Sequence, residues 1–475
     1  MKQYLLFILM FLIFACSQQT GKISLSQIDA EEAAGNFTRA SQWIDLYVAQ
    51  HDLTAETIYN LNVRKDIMHR IRLDFGKDRT AVMEYIRQYY PDVNDEMLTQ
   101  WENAGTLEYK IIDGEKWYYN RAATNLFRLD SEAIIRKAEI DAPAENNVVL
   151  STHLPEIIKS LEKSGKTQVP PVSMRVKYEL TVKPNAVPDG EVVRCWLPYP
   201  REDHRRQSNV KLWSVSESDY VISPEQYAHR TIYMEKTAKK DEPLLFSIEF
   251  SYKHAPEWFY LQGQTIQPYN TQSELYKTYT AERPPHIVFN DSIEAVSKQV
   301  IGNETDPYRK VRKIYEWIHT TFPWAGAREY STLTNIPQYV LENGHGDCGQ
   351  VTLLFMTLAR YNGIPTRWQS GFNMQPGGLN MHDWSEFYIE DIGWIPMDQS
   401  FGLKPFTDDE DVTYFYTNGI DAFRWIVNSD FSQPLFPQKI FLRSDDVDFQ
   451  RGELEWRGGN IYYNQWSWDF VVTYE

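Results

Sequence analysis

The sequence predicts a multidomain α+β protein with a helical N-terminal domain, a β-sandwich and a mixed α+β core. At 475 residues the chain is longer than one hydrophobic core usually supports. The spacing of its hydrophobic residues changes from helical to alternating after a Gly- and Pro-containing linker at 165–171. From residue 306 onward, helical and alternating segments follow one another. The division that we predict is a mainly helical domain at 30–165, a β-sandwich at 172–255, a connecting segment at 256–305 and an α+β core with C-terminal strands at 306–475.

The N-terminus has the pattern of a targeting signal. Lys2 precedes an apolar run at 5–14 that is too short to cross a bilayer as a helix. The run leads into Ile-Phe-Ala-Cys, which resembles a bacterial lipoprotein signal and implies lipid attachment at Cys16. We therefore predict a signal peptide at 1–16 and a tether at 17–29, with a plain secretory signal as the alternative. The expected location is the bacterial cell envelope, lipid-anchored, on the periplasmic side or at the cell surface.

Residues 30–165 carry the spacing of amphipathic helices. Trp43, Ile44 and Tyr47 lie on one helical face, and similar patterns follow at 54–68. Asp113-Gly114, a pair typical of tight turns, lies inside strand-like sequence and predicts a hairpin. The segment is thus expected to be helical with one small β element.

Alternating apolar residues predict the β-sandwich. Val176, Tyr178 and Leu180 would share one buried face, and further short strand-like runs reach residue 252. Strand-like runs also recur after residue 440. We expect those C-terminal strands to complete the sheet of the α+β core.

Charge and cysteine content exclude some functions. The formal net charge of −17 makes nucleic acid a poor partner, because phosphate binding needs clustered basic residues. Of the three cysteines, Cys195 lies in a strand-like run and is expected to be a small buried residue. A disulfide between Cys195 and Cys348 is the alternative in an oxidising compartment.

Cys348 is the candidate nucleophile. It follows Gly-Asp and opens a run in which Val351, Leu354, Phe355 and Leu358 form one buried helical stripe. A helix start offers unpaired N–H groups and the positive end of the helix dipole, so we expect the pKa of the thiol to be lowered. An inert buried thiol is the alternative.

His382 and Asp398 are the candidate partners of this thiol. His382 lies in a strand pattern, a turn follows at 391–393, and Asp398 ends the returning strand. Such a hairpin can bring Asp398 close to His382, with a strand register that the sequence sets to within a residue or two. His382 would then take the thiol proton and Asp398 would orient the ring, whereas structural roles are the alternative for each.

These motifs together resemble the transglutaminase-like superfamily, relatives of the papain-type cysteine proteases. The resemblance rests on Gly-Asp-Cys, Ala-Arg-Tyr-Asn-Gly-Ile-Pro-Thr-Arg, His-Asp-Trp-Ser-Glu and Gly-Trp-Ile-Pro-Met-Asp, over about a hundred residues. It implies a transglutaminase-like, papain-type core in which Cys348, His382 and Asp398 are nucleophile, base and orienting acid. The β-rich segment before the core matches the placement of the N-terminal sandwich of many members.

The oxyanion hole is expected to use the backbone N–H of Cys348. In animal transglutaminases a Trp upstream of the nucleophile supplies a second donor. Trp324, at a different spacing, and Gln338 are the candidates here, and ordinary packing is the alternative for both.

Three functions are compatible with these residues. The first is an extracytoplasmic cysteine hydrolase that cleaves a peptide or amide bond of a protein or peptide substrate. The second is a true transglutaminase, in which an amine replaces water as the acyl acceptor. The third is a non-catalytic binding lipoprotein. We predict the hydrolase, anchored to the membrane through its N-terminal lipid, with no cofactor, no metal and no nucleic-acid partner.

Overall fold

The computed structural model describes residues 22–141, 146–404 and 407–475, with side chains from residue 149 onward in the helix that begins at 146. The predicted signal peptide, Cys16 and the first part of the predicted tether lie outside the described residues. Within the described ranges, no helix has both the length and the apolar character needed to cross a membrane.

The N-terminal unit is helical apart from one hairpin. Its elements are Leu25–Ala33 (α1), Phe37–Gln50 (α2), Ala55–Asp74 (α3), Arg79–Ile86 (α4), Asp95–Asn103 (α5), Tyr109–Ile112 (β1), Glu115–Tyr118 (β2), Ala122–Leu129 (α6) and Ser131–Ile140 (α7). The turn between β1 and β2 has positive φ at Asp113 and Gly114, as a two-residue hairpin turn requires. Ile44, Ile86 and Leu126 are among the fully buried residues of this unit.

Both ends of the N-terminal unit differ from the prediction. Part of the predicted tether is α1, which is capped by the Ser24 side chain and buries Ile28 completely. Helix α8 (Asn146–Ser164), predicted to belong to the helical domain, packs into the α+β core through Leu154 and Ile157. Burial of apolar side chains therefore places the end of the helical unit before α8.

Six strands that follow form the first part of a β-sandwich. They are Val172–Val182 (β3), Val192–Pro198 (β4), Gln207–Val215 (β5), Tyr220–Ile222 (β6), Thr231–Thr237 (β7) and Leu244–His254 (β8). One sheet has the order β3-β8-β5 and the other β4-β7-β6. Val176, Tyr178 and Leu180 are fully buried between the sheets, in agreement with their alternation.

The α+β core follows. Its elements are Glu257–Trp258 (β9), Glu274–Thr280 (α9), Asp291–Val300 (α10), Pro307–Thr321 (α11), Ile336–Asn343 (α12), Cys348–Tyr361 (α13), Thr366–Asn373 (β10), Asn380–Ile389 (β11), Gly393–Met397 (β12), Glu410–Thr413 (α14), Gly419–Ile420 (β13) and Arg424–Asn428 (β14). The antiparallel sheet has the order β12-β11-β10-β14, and residues 349–360 of α13 are buried against it. Helix α10 packs into this core through Ile293, so the predicted connecting segment contributes to the core.

The C-terminal strands are Glu453–Trp456 (β15), Gly459–Asn460 (β16) and Trp466–Tyr474 (β17). They do not complete the core sheet as predicted. Strand β17 pairs with β3 along its whole length, and β15 pairs with β4, so both extend the sandwich. Leu454, Ile461 and Trp466 are buried in the sandwich interior, which explains the preference for that site. The predicted multidomain α+β fold class is confirmed.

Candidate active site

Cys348 is the first residue of α13, as its sequence context predicted. The Asp347 side chain accepts a hydrogen bond from the backbone N–H of Gln350, and the Gln350 side chain accepts one from the N–H of Asp347. This reciprocal capping satisfies two helix-start donors and ends the loop sharply before the thiol. The thiol therefore sits at the amino end of a buried helix.

The thiol of Cys348 donates a hydrogen bond to Asp383, with 3.3 Å between Sγ and Oδ2. The other carboxyl oxygen of Asp383 accepts a hydrogen bond from the Gln450 amide at 2.8 Å. The Tyr330 hydroxyl lies 3.4 Å from Asp383 Oδ2 and donates to Asp347 at 2.6 Å. The nucleophile candidate is thus surrounded by two carboxyl groups and a phenol.

These neighbours oppose the predicted effect of the helix start. Burial raises the pKa of the Cys348 thiol well above its ordinary value, and the nearby Asp383 and Asp347 carboxyls act in the same direction. Burial and the neighbouring Asp448 also raise the pKa of Asp383 well above its ordinary range. The expectation of a lowered thiol pKa is therefore wrong for this conformation, in which desolvation outweighs the helix dipole.

His382 and Asp398 form a buried pair. His382 Nε2 lies 2.7 Å from Asp398 Oδ2, and the exposed fractions are 6% for His382 and zero for Asp398. The register of β11 and β12 pairs Ser385 with Met397. Asp398 follows directly and is therefore close to His382, as the hairpin predicted.

Arg424 completes the surroundings of this pair. Its Nη2 atom lies 2.9 Å from Asp398 Oδ2 and 2.7 Å from a carboxyl oxygen of Asp421. Burial alone would raise the pKa of Asp398, but His382 and Arg424 outweigh it and hold the pKa below its ordinary value. The acid beside His382 is therefore a carboxylate at neutral pH.

The structure brings His382 to Asp398, whereas the thiol hydrogen bond of Cys348 goes to Asp383. Neighbouring residues of a strand point to opposite faces, so His382 and Asp383 serve different partners. Both residues lie on β11, a strand that packs against α13, the helix that begins at Cys348. Catalytic hydrogen bonds in unliganded enzymes are often long and shorten only when substrate binds.

Trp324 borders the thiol and Gln338 does not. A β-bridge joins Trp324 to Gly346, and Trp324 lines a pocket of about 90 Å³ together with Cys348 and Asp383. Trp324 also lines a second pocket with Phe401, whose ring lies 4.9 Å from that of His382. The Gln338 amide instead donates to Glu342, and its oxygen accepts from Asn290.

Sequence reasoning missed Asp383, Tyr330 and Arg424. Asp383 stands in the His-Asp-Trp-Ser-Glu motif, and its alternation opposite to His382 could have shown that it faces another element. Tyr330 and Arg424 are distant in sequence from the nucleophile, and no local pattern marks them. Both described cysteines, Cys195 and Cys348, are free thiols, and Cys195 is buried as predicted.

Comparison with known families agrees with this geometry. Residues 294–399 match the model of the transglutaminase-like superfamily. The chain thus carries a transglutaminase-like domain, which confirms the resemblance that the motifs indicated. The matched region includes Cys348, His382 and Asp398.

Individual relatives are distant. An uncharacterized protein of Haemophilus influenzae is 22% identical over 247 residues, which are 45% of this chain and 66% of that protein, just under two thirds. A proposed cysteine protease from Cytophaga hutchinsonii has 14% identity and a TM-score of 0.45, over 65% of this chain and 91% of that chain. The periplasmic domain of TgpA from Pseudomonas aeruginosa has 13% identity and a TM-score of 0.26, over 50% of this chain and 93% of that domain.

Proposed function

We propose that this protein is an extracytoplasmic cysteine hydrolase that cleaves a peptide or amide bond through an acyl-enzyme. The observation that carries the proposal is the 2.7 Å His382–Asp398 pair beside the helix that starts at Cys348. A thiol at a helix start, an imidazole and a buried carboxylate are the groups that nucleophilic acyl transfer requires. All three lie in the transglutaminase-like domain.

In the proposed acylation step, His382 takes the proton of Cys348 and the thiolate attacks the substrate carbonyl carbon. A carbon–sulfur bond forms, and the carbonyl electron pair moves to oxygen. When that oxyanion collapses, the carbon–nitrogen bond breaks and His382 gives its proton to the leaving amine. Asp398 accepts the hydrogen bond of the other ring nitrogen and holds the imidazole in place.

Deacylation reverses these roles. Water attacks the thioester carbon while His382 takes a water proton. The carbon–sulfur bond then breaks, His382 returns that proton to sulfur, and a carboxylic acid and the Cys348 thiol are released. The backbone N–H of Cys348 is a helix-start donor that we assign to the oxyanion. Trp324 borders the same pocket and is our candidate for the second donor.

The hydrogen bond from Cys348 to Asp383 defines the resting state in this proposal. The thiol is held protonated there, since burial and the carboxyl groups raise its pKa. Substrate binding would have to turn the thiol from Asp383 toward His382 before proton transfer. Reactivity is thereby coupled to occupation of the pocket.

The proposed setting is the bacterial cell envelope. The support is the lipoprotein-like sequence that ends in Cys16, which would attach the chain to the membrane through lipid. A protein or peptide outside the cytoplasm would then be the substrate.

Substitution of the three residues tests the proposal. We expect Cys348→Ala to abolish cleavage of peptide amides and His382→Ala to lower kcat/KM about 10²–10⁴-fold, the usual contribution of a positioned acid–base group. His69→Ala, at an exposed histidine of the helical unit, serves as the control. Wild-type activity of His382→Ala would refute the assigned base.

A second experiment separates water from amine as the acyl acceptor. The enzyme is incubated with a glutamine-containing peptide and a primary amine, and the products are weighed by mass spectrometry. Backbone cleavage supports the hydrolase, whereas an amine adduct at the glutamine would replace it with a transglutaminase. A protein that binds peptide but converts none of it would be the binding lipoprotein.

A further inference from the structure

The helical unit forms part of the wall of the Cys348 pocket. The helical unit packs on residues 324–330, a segment of the α+β core that we call the wall segment. This segment carries Trp324, lines the pocket and lies beside the loop before Cys348. The buried Asn125 side chain makes two hydrogen bonds to Gly326, accepting from its N–H at 2.8 Å and donating to its carbonyl at 3.0 Å. The Tyr119 hydroxyl donates to the carbonyl of Ala327. Helix α6 therefore docks directly on this segment.

Two arginines flank this contact, one in the pocket lining and one over Trp324. Arg121 is the N-cap residue of α6, Asn125 lies in its middle, and Arg128 lies in its last turn. Arg121 lines the pocket with Cys348, and its Cδ atom lies where a side chain on Gly326 would stand, 2.5 Å from such a Cβ. The Arg128 guanidinium stacks over the Trp324 ring at 4.3 Å.

These two arginines differ from the other cations around the pocket. Arg328 and Arg451 are neutralised by Glu108 and Glu329. Arg121 and Arg128 are exposed, and neither forms a salt bridge with any carboxylate in the described ranges. Two unpaired guanidinium groups are thus held together in a chain whose net charge is −17.

Electrostatic effects agree with this placement. Partial desolvation lowers the pKa of the exposed Arg128, and the neighbouring Arg121 charge lowers it further. Burial raises the pKa of Asp347 to about 6, and Arg121 is among the groups that oppose this rise. Arg121 lies at the exposed edge of the pocket and Arg128 beside it over Trp324, while the pocket lining contains the buried Asp383 and the partly buried Asp347 and Asp445.

We propose that Arg121 and Arg128 form a subsite for a carboxylate of the acyl donor, so that the substrate is an acidic peptide. This inference rests on the proposed cysteine hydrolase function. Guanidinium groups bind carboxylates with paired, charge-assisted hydrogen bonds, and the Trp324 ring keeps Arg128 in place. The helical unit would then select the substrate, while the α+β core performs the chemistry.

Two alkylating agents test the subsite without any need for turnover. Iodoacetate and iodoacetamide react with a thiol in the same way and differ by one carboxylate. The ratio of their rates at Cys348, measured by mass spectrometry of the Cys348 peptide, reports the local potential. We expect the R121Q/R128Q double variant to lower the iodoacetate-to-iodoacetamide ratio about three- to tenfold at low salt, with a smaller effect at high salt.

Controls make the outcome decisive. Arg87→Gln removes an exposed arginine of the same unit that does not line the pocket, and should leave the ratio unchanged. Iodoacetamide is the internal reference for thiol access, so a general loosening of the variant changes both rates. An unchanged ratio in R121Q/R128Q overturns the subsite, as does a Cys348 that neither reagent reaches.

Peptide substrates then identify the source of the carboxylate. Peptides with Glu or Gln beside the scissile bond, each with a free or amidated C-terminus, separate a side-chain from a terminal carboxylate. We expect one acidic form to be cleaved faster by the wild type and this advantage to fall in R121Q/R128Q. If no peptide is cleaved, the proposed function fails, whereas the alkylation ratio still decides the subsite. Equal cleavage of all four peptides overturns the carboxylate specificity.

Discussion

At the residue scale, the adjacent residues His382 and Asp383 make different hydrogen bonds near Cys348. His382 pairs with Asp398 at 2.7 Å, while Asp383 accepts the thiol hydrogen bond at 3.3 Å. Because burial, Asp383 and Asp347 raise the pKa of the thiol, Cys348 is protonated at neutral pH in this conformation. In the proposed mechanism the thiol leaves Asp383 for His382 before it reacts.

Removal of the Asp383 carboxyl should make the thiol easier to ionise. Asp383→Asn keeps the size of the side chain but carries no negative charge at any pH, so the thiol pKa should fall. The pH midpoint for alkylation of Cys348 by iodoacetamide should move to lower pH. A midpoint equal to that of the wild type would show that burial alone sets the thiol pKa.

A matched control for this change is Asp391→Asn. Asp391 lies in the turn between β11 and β12 with positive φ, a conformation that asparagine also adopts. This variant alters the charge by the same amount away from the thiol. Its alkylation profile should match that of the wild type.

At the scale of elements, the site depends on where one helix begins and another ends. Helix α13 begins at Cys348 because Asp347 caps it. Helix α3 ends at Asp74, whose carboxyl group accepts a hydrogen bond from the backbone N–H of Glu329 at 2.9 Å. Asp74 is buried, and burial, followed by the Glu329 charge, raises its pKa to about 7. The junction between α3 and the pocket wall therefore changes charge near neutral pH.

Asp74→Asn should stabilise the protein at higher pH. The folded-state pKa of about 7 exceeds the unfolded value of 3.8, so ionisation of Asp74 costs folding free energy as pH rises from about 4 to 7. This cost is of the order of 4 kcal/mol above pH 7, at ~1.4 kcal/mol for each pKa unit. The neutral asparagine avoids it and still accepts from Glu329.

Denaturant unfolding of both proteins across this pH range measures the effect. The unfolding free energy of Asp74→Asn minus that of the wild type should increase from pH 4 to 7 and then level off. Asp78→Asn changes an exposed helix-cap residue that stays a good cap, and should give a flat difference. A flat difference for Asp74→Asn as well would contradict the raised pKa.

On the scale of the whole molecule, the helical unit is joined to the α+β core through the wall of the Cys348 pocket. Asn125, Tyr119 and Asp74 all bond to the backbone of 326–329. After the α+β core, the chain returns to the sandwich, where the C-terminal strand β17 pairs with β3. The helical unit thus fixes the position of the pocket wall, and the C-terminal strands complete the sandwich.

Asn125→Ala should loosen the wall of the pocket. It leaves the Gly326 N–H and carbonyl without their partner, at about 1–3 kcal/mol for each buried group left unpaired. The Gly326 amide should then exchange its hydrogen much faster, which amide exchange followed by mass spectrometry or NMR measures. Asn103→Ala, at an exposed helix-terminal position, is the control. Unchanged exchange at Gly326 would mean that other contacts hold the wall.

Local patterns predicted much of the fold and part of the candidate site. The capped start of α13, the hairpin turn at Asp113-Gly114 and the closeness of His382 to Asp398 depend on residues a few positions apart. The hydrogen bond from Cys348 to Asp383 was not predicted, because it depends on which face of β11 meets α13. Gln338 was placed near the thiol by sequence reasoning, but its helix turns the side chain toward Glu342.

The sequence by itself determined the α+β fold class, the elements that carry Cys348, His382 and Asp398, and the likeness to transglutaminase-like domains. Helix spacing, strand alternation and turn residues are local properties, and they act before distant segments meet. Only the tertiary structure decided that β17 joins the sandwich, that Asp383 holds the thiol, and that α6 brings Arg121 to the pocket. Those choices depend on the burial of surfaces far apart in the chain, and no local spacing records which surfaces will meet.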